Sequence, residues 1–237
     1  MRLSDSGVPV IILGHRKREF LETTVESLRK HATGITDVIV VDDSDDSQHH
    51  DWLDDHGFQY TIVDPRGNAG YLMAMRMVWD VARDAVDESG SEYVLLWEED
   101  FRLVKDLDIA DMLTVMDADP MLAQLNLQRQ AVYRIEKRFG YLQSHQRRGY
   151  ELRTLETSGI PWVKRRHPFT TNPGLLRREV LDIEWPSRFM ADQVPGGAEP
   201  AMSVQVEKAG YHFGWLGETN VPHTHHIGSD LKTGNGY

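Results

Sequence analysis

The stretch from Tyr93 to Asp100, Y-V-L-L-W-E-E-D, constrains this chain more than any other. Apolar residues rich in strand formers run straight into consecutive carboxylates. A continuous apolar run of this kind suits a strand buried on both faces of a parallel sheet. Carrying Glu98, Glu99 and Asp100 into the same core would be prohibitive, so the strand has to end there, at water or at a cation. The carboxyl ends of the strands are where an open α/β sheet puts its ligand site. Clustered oxygens suit a hard divalent ion such as Mg²⁺ or Mn²⁺, and such an ion can hold a diphosphate. Taken alone, the stretch reads more simply as a solvated acidic turn; the company it keeps changes that.

The 237 residues, 40% hydrophobic and 27% charged, suffice for one α/β domain with a sizeable core. A formal net charge of -11 argues against general nucleic-acid binding, because a polyanion needs a basic surface. There are no cysteines, which removes disulfides and thiolate metal sites and agrees with a reducing compartment. The opening M-R-L-S-D-S-G does not read as a secretory leader, and no apolar run approaches the roughly 20 residues that span a bilayer. The expectation is a soluble, cytoplasmic protein (host cytoplasm if the gene is viral) with no membrane partner.

Along the chain, Val8 to Leu13 reads as a first buried strand, with Pro9 tolerated near its start. A helix follows over about Glu19 to His31, its apolar residues at helical spacing. Asp37 to Val41 is a second strand that also runs into acids, Asp42 and Asp43. Strand, helix and strand in so short a span form a βαβ unit with a right-handed crossover. Gln59 to Val63 reads as a third strand, then the turn-rich D-P-R-G-N-A-G and a long helix from Tyr71 with one apolar stripe. After the central strand come a helix over Leu107 to Met116 and a strand over Leu122 to Leu127. Gln128 to Lys164, basic and aromatic, reads as a strand-and-loop excursion over the sheet. T-T-N-P-G-L-L-R-R-E-V-L reads as a loop and a short helix. A helix over Glu199 to Ala209, a strand over Tyr211 to Leu216, and a tail with His223, His225 and His226 complete the chain.

In this order the pieces resemble the nucleotide-sugar-dependent glycosyltransferases of GT-A fold, in particular the inverting family two. The features are V-I-I-L-G-H-R, V-V-D-D-S, R-G-N-A-G-Y-L-M-A-M-R, W-E-E-D, N-P-G-L-L-R-R, G-G-A-E-P-A-M-S and H-T-H-H-I-G. The compact tail is most like small phage-encoded or actinobacterial members. The resemblance implies a single GT-A domain with a mixed, mostly parallel sheet. Its nucleotide-sugar half would be about 1–105 and its acceptor half about 106–237.

Residue by residue, the resemblance implies a nucleobase contact at Asp43, with Asp42 beside it; a carboxylate can accept base N–H groups, although D-D-S also caps turns. It puts Leu13, His15, Arg16, Arg66, Asn68, Gly70 and Arg76 around the donor. Glycine freedom at Gly70 admits a diphosphate, Arg66 and Arg76 could pair with its oxygens, and Arg16 could stack on or bond to the base. It puts Asp100 on a Mn²⁺ or Mg²⁺ ion, with Glu98 and Glu99 nearby, where the family has D-x-D. His226 is the first choice to complete the metal site and His223 the second. Glu199 matches the family's general base, with Asp192 in reserve; the simpler role of Glu199 is to favour a helix N-terminus. Trp162, His167, Phe169 and Asn172 fall in the acceptor half, where aromatic faces suit sugars and burial explains them equally well.

The reaction implied is transfer of a sugar from a nucleoside-diphosphate sugar, a UDP-sugar foremost, to a hydroxyl on a glycan, a protein or a modified nucleic acid. Two alternatives keep the strand-end acids: a GT-A-like nucleotidyltransferase and a non-catalytic nucleotide-sugar or carbohydrate binding module. The first normally carries a Gly-rich basic loop after its first strand, where this chain has only Gly14 before Arg16, Lys17 and Arg18.

Overall fold

The computed structural model describes residues 7–166 and 168–230. The strands and helices are, in chain order, β1 (Val8–Gly14), α1 (Arg18–His31), β2 (Ala32–Thr33), β3 (Ile35–Asp42), α2 (Ser47–Asp55), β4 (Gln59–Ile62), α3 (Tyr71–Ser89), β5 (Tyr93–Glu98), β6 (Phe101–Leu103), β7 (Leu107–Asp108) and α4 (Ile109–Ala118). Then come β8 (Leu122–Asn126), α5 (Arg134–Phe139), α6 (Tyr141–Arg147), β9 (Leu152–Thr157), β10 (Ile160–Arg165), β11 (Gly174–Arg177), α7 (Arg188–Gln193), α8 (Ala198–Lys208), β12 (His212–Leu216) and β13 (Thr224–His226).

A nine-stranded sheet in the order β4-β3-β1-β5-β11-β8-β12-β10-β9 runs through the molecule. β4, β3, β1 and β5 pair in parallel, β11 is antiparallel to both its neighbours, and β8 and β12 are again parallel to each other. β10 and β9 close the far edge as an antiparallel hairpin.

The wholly apolar strands alternate in which core they feed. Val10 and Ile12 of β1 and Leu95 and Trp97 of β5 pack with Leu21, Val25 and Leu28 of α1 and Met112 and Met116 of α4. Ile11 of β1 and Val94 and Leu96 of β5 pack on the opposite face with Met75, Trp79 and Ala82 of α3 and Met202 and Val206 of α8. This two-sided burial is what a continuous apolar run encodes. Pro9 sits where the β1–β3 register shifts, between Val8 and Val10, so its missing N–H costs the ladder little.

Several sequence expectations change here. G-L-L-R is not helical: it is β11, inserted between β5 and β8, with Leu175 and Leu176 fully buried, and the expected short helix follows it as a 3-10 turn over Arg178–Asp182. Its helix-like apolar pair is equally a strand with two buried faces. The excursion over 128–164 begins with two short helices, α5 and α6, before the β9–β10 hairpin. Trp162 and Phe169, expected toward an acceptor, are buried in the two cores instead, where their apolar area is worth more than at a wet cleft wall. Among the described residues, no helix is long and apolar enough to cross a membrane.

Gly174 begins β11 against Asn126, where an added Cβ would lie 3.0 Å from the Asn126 Cα and 3.1 Å from the Leu125 carbonyl oxygen. Those backbone atoms belong to a central strand and cannot yield cheaply. Gly174→Ala should destabilise the protein by about 1–3 kcal/mol. Urea unfolding measures it; an unchanged midpoint would contradict this packing.

Candidate active site

Five chain segments end at one rim of the sheet and enclose a cleft of about 920 Å³. The first three are the carboxyl ends of β1, β3 and β5. Asp43 lies just past β3, 6% exposed. One of its oxygens, Oδ1, accepts the Ala69 N–H at 2.9 Å, and its carbonyl meets His15 Nδ1 at 2.6 Å. These bonds draw the Asn68–Gly70 loop against the strand ends. Gly70 has φ 82° and ψ 159°, a conformation that essentially only glycine adopts, and α3 begins at the next residue.

The acidic turn after β5 is held from below. Thr24 Oγ1 of α1 donates to the Glu99 carbonyl at 2.7 Å and lies 3.0 Å from that of Phe101, while the Trp97 indole N–H donates to Phe101 O at 2.6 Å. β6 pairs antiparallel with β13, setting His226 opposite Phe101. The Ile227 N–H donates to the Asp100 carbonyl at 2.8 Å. This clasp carries an imidazole from the far end of the chain onto Asp100: His226 Nε2 is 3.0 Å from Asp100 Oδ2, its ring stacked on Phe101.

From the other side comes the loop before β11. Thr171 gives Glu199, in the first turn of α8, two hydrogen bonds: N–H to Oε1 at 2.7 Å and hydroxyl to Oε1 at 2.8 Å. The same hydroxyl lies 3.1 Å from Glu98 Oε1. One hydroxyl hydrogen serves one carboxylate at a time, so the second contact calls for a proton on Glu98. Burial, with Asp100 and Glu199 adding to it, pushes Glu98 up to about 8. Burial likewise raises Glu99 to about 8, against the pull of a His15 backbone hydrogen bond and Lys17. Glu99 Oε2 is buried without a hydrogen-bond partner among the described residues.

Of the residues expected at the site, Leu13, His15, Asp43, Asn68, Gly70, Glu98, Glu99, Asp100, Asn172, Glu199 and His226 line this cleft. Others do not. Asp42 is fully buried beneath it, bonded to Ser44 and His50; the alternation of a strand turns it away from its neighbour Asp43. Arg16 pairs with Asp45 and Arg66 with Asp64, neighbours that satisfy them before any phosphate does. Arg76 is exposed on α3 beside Met73. Asp192 is exposed on α7 near Arg188, outside the cleft. His223 is buried away from the cleft, where desolvation holds it down at about 4. His167 lies outside the described residues. Sequence reading missed Lys17, Tyr71, Thr171 and Arg165, all of which line the cleft.

The fit to a divalent ion can be tested on Asp100 and His226. A carboxylate and an imidazole face each other, and a Cβ on Gly228 would stand 2.5 Å from Asp100 Oδ2 and 3.2 Å from His226 Nε2. The glycine keeps that space open. Among the described residues no three His, Asp or Glu side chains form a closed cage. Mg²⁺ and Mn²⁺ sites that serve phosphates are built this way, with one or two protein ligands and the remainder from substrate and water. The residues fit.

No family model matches the chain, and no curated protein matches it. Among solved structures it is similar to a mannosyltransferase from Pyrobaculum calidifontis in complex with GDP-Man and Mn²⁺, at 15% identity and a TM-score of 0.52. The match covers 91% of this chain and 55% of that one, so the chain spans little more than half the length of the protein it resembles. The shared architecture is the GT-A fold: a mixed α/β, Rossmann-like domain with a large, mostly parallel sheet flanked by helices.

The raised pKa values of Glu98 and Glu99 have a consequence for stability. A carboxyl whose folded pKa lies above its unfolded value of 4.5 stabilises the fold fully below pH 4.5, and the contribution is lost as pH rises through 8. The buried histidines His49, His145 and His223 and the half-buried His212, with lowered values, act oppositely, but their effect is complete above their unfolded 6.5. Between pH 7 and 8.5, urea stability should therefore fall, and Glu98→Gln with Glu99→Gln should flatten that slope. A slope identical in the double variant would contradict the assignment.

Proposed function

We propose that this protein is a metal-dependent, inverting glycosyltransferase of the family-two kind, moving a sugar from a nucleoside-diphosphate sugar to an acceptor hydroxyl. The observation that carries the reading is the meeting of Asp43, the Asp100–His226 pair and Glu199 in one cleft. The likeness to a mannosyltransferase solved with GDP-Man and Mn²⁺ supports it at the level of fold.

In this reading Asp43 offers its remaining oxygen to the N–H edge of the nucleobase, and both uracil and guanine present one. The Asn68–Gly70 turn closes over the donor. Asp100 and His226 would hold Mn²⁺ or Mg²⁺, which when bound supplies Lewis-acid neutralisation of the charge on the departing diphosphate. Glu199 is the general base. Both hydrogen bonds from Thr171 fall on Oε1, which fixes the carboxylate and leaves Oε2 to take the acceptor's proton. As that proton passes to Glu199, the acceptor oxygen bonds to the anomeric carbon and the carbon–oxygen bond to the diphosphate breaks, its electron pair leaving with the nucleoside diphosphate. Attack from the face opposite the leaving group inverts the centre. Residues up to about 105 supply the donor side and later ones the acceptor side, with His226 reaching back across.

Mn²⁺ with one of UDP, GDP, TDP or CDP should raise the melting temperature, and Asp100→Ala or His226→Ala should remove the metal-dependent part of that rise. No shift with any of the four would remove the donor-site assignment. Glu199→Gln should keep nucleotide binding and slow transfer by about 10²- to 10⁴-fold, the usual worth of a general base. Nucleoside diphosphate release from a panel of nucleotide sugars reads it out, and undiminished release would exclude Glu199 as the base.

A further inference from the structure

The far end of the same cleft carries the opposite charge. Arg129, Arg148 and Arg165 line it, together with Tyr141, His145 and Trp215. Glu136 neutralises Arg129 through contacts of 2.9 and 3.0 Å. Arg165 and Arg148 have no carboxylate within ion-pair distance among the described residues. Arg165 is 1% exposed, 4.1 Å from the Trp215 ring centre. Its hydrogen bonds go only to neutral oxygens, the Pro168 carbonyl and Asn126 Oδ1, and Nε has no partner. A buried guanidinium with only neutral partners is costly unless an anion completes it.

A second observation points the same way. Both ring nitrogens of His145 and the indole Nε1 of Trp215 are buried without a hydrogen-bond partner among the described residues. Burial, with Arg165 and Arg148 beside it, pushes His145 down to about 4, so near neutral pH it is uncharged and one nitrogen is a donor. Unsatisfied buried N–H groups in a native fold call for an explanation. Here they gather, from α6, β10 and β12, around a positive charge that no ion pair among the described residues neutralises.

We propose that this end of the cleft binds an oxyanion carried by the acceptor, so that the sugar is transferred to a carbohydrate bearing a carboxylate or a phosphate. Arg165 and Arg148 supply the charge, and the His145 and Trp215 N–H groups supply direction. The word acceptor rests on the glycosyl-transfer reading; the oxyanion site itself does not.

The test is calorimetric titration of the full chain with methyl glucuronide, glucose 6-phosphate and, as neutral control, methyl glucoside, with and without Mn²⁺ and a nucleoside diphosphate. At least one anion should bind about tenfold or more tightly than the neutral glycoside, the scale of a charge-assisted contact, and more weakly as salt rises. Which anion binds tells carboxylate from phosphate. Arg165→Met should abolish the preference. Because that residue is buried, exposed Arg148→Met serves as a second variant, and it should weaken the anion about tenfold while leaving the unfolding temperature and Mn²⁺–nucleotide binding unchanged. Equal binding of all three sugars, binding of none, or an unaltered anion affinity in Arg148→Met would overturn the proposal. Loss of nucleotide binding in Arg148→Met would also overturn it, by making this end the diphosphate site. Anion binding without any nucleotide binding would instead refute sugar transfer and leave the oxyanion site standing.

Discussion

Charge cannot follow an apolar strand into a core, and the architecture of this cleft turns on that one incompatibility. β5 is buried on both faces up to Trp97, and the next three residues are acids. The chain must therefore break out of the sheet at that point. The break is then held tightly by neutral groups: the Thr24 hydroxyl and the Trp97 indole, which bond the turn's carbonyls. Backbone satisfaction leaves the carboxylates of Glu98, Glu99 and Asp100 as the groups still seeking partners.

Those partners arrive from distant parts of the sequence, each by a different device. His226 comes by strand pairing, since β13 lies against β6. Glu199 comes by helix placement, with Thr171 tying the first turn of α8 to the loop that enters β11. Because β11 is inserted antiparallel between β5 and β8, the residues just before it emerge at the same rim as the acids that end β5. The result is a cleft with a carboxylate-rich end and an arginine-rich end. A cation and a diphosphate suit the first, an anionic group the second, and Glu199, the proposed base, interacts with both sets.

How much of this could be read beforehand follows from what each residue type reports. Short continuous apolar runs bounded by turn residues announce buried strands, and in β3 and β5 the run also ends in acids; β1, β3 and β5 were legible for that reason. β11 was not, since G-L-L-R is too short to show a period. Trp162 and Phe169 are ambiguous as types; the alternation of β10 places Trp162 in one core, and the loop between β10 and β11 carries Phe169 into the other. Arg66 looked available for phosphate and Arg16 for the base, but each has an acid close by in space, at Asp64 and Asp45, that an ion pair uses up. Thr171 and Arg165 carried no signal at all. A threonine in T-T-N-P-G reads as loop, and one arginine in K-R-R reads as surface, until the hairpin β9–β10 turns it inward. His226 was legible as the first choice among three histidines, and the β6–β13 pairing sets it against Asp100.

In the proposed function Asp100 and His226 together would hold a divalent ion beside a nucleoside diphosphate. Crystals grown with Mn²⁺ and the nucleoside diphosphate that most stabilises the protein, measured at the manganese absorption edge, test it most directly. An anomalous peak is expected within coordination distance of Asp100 Oδ2 and His226 Nε2, with the base against Asp43. A peak elsewhere, or nucleotide bound at the arginine-rich end with no metal between Asp100 and His226, would contradict it.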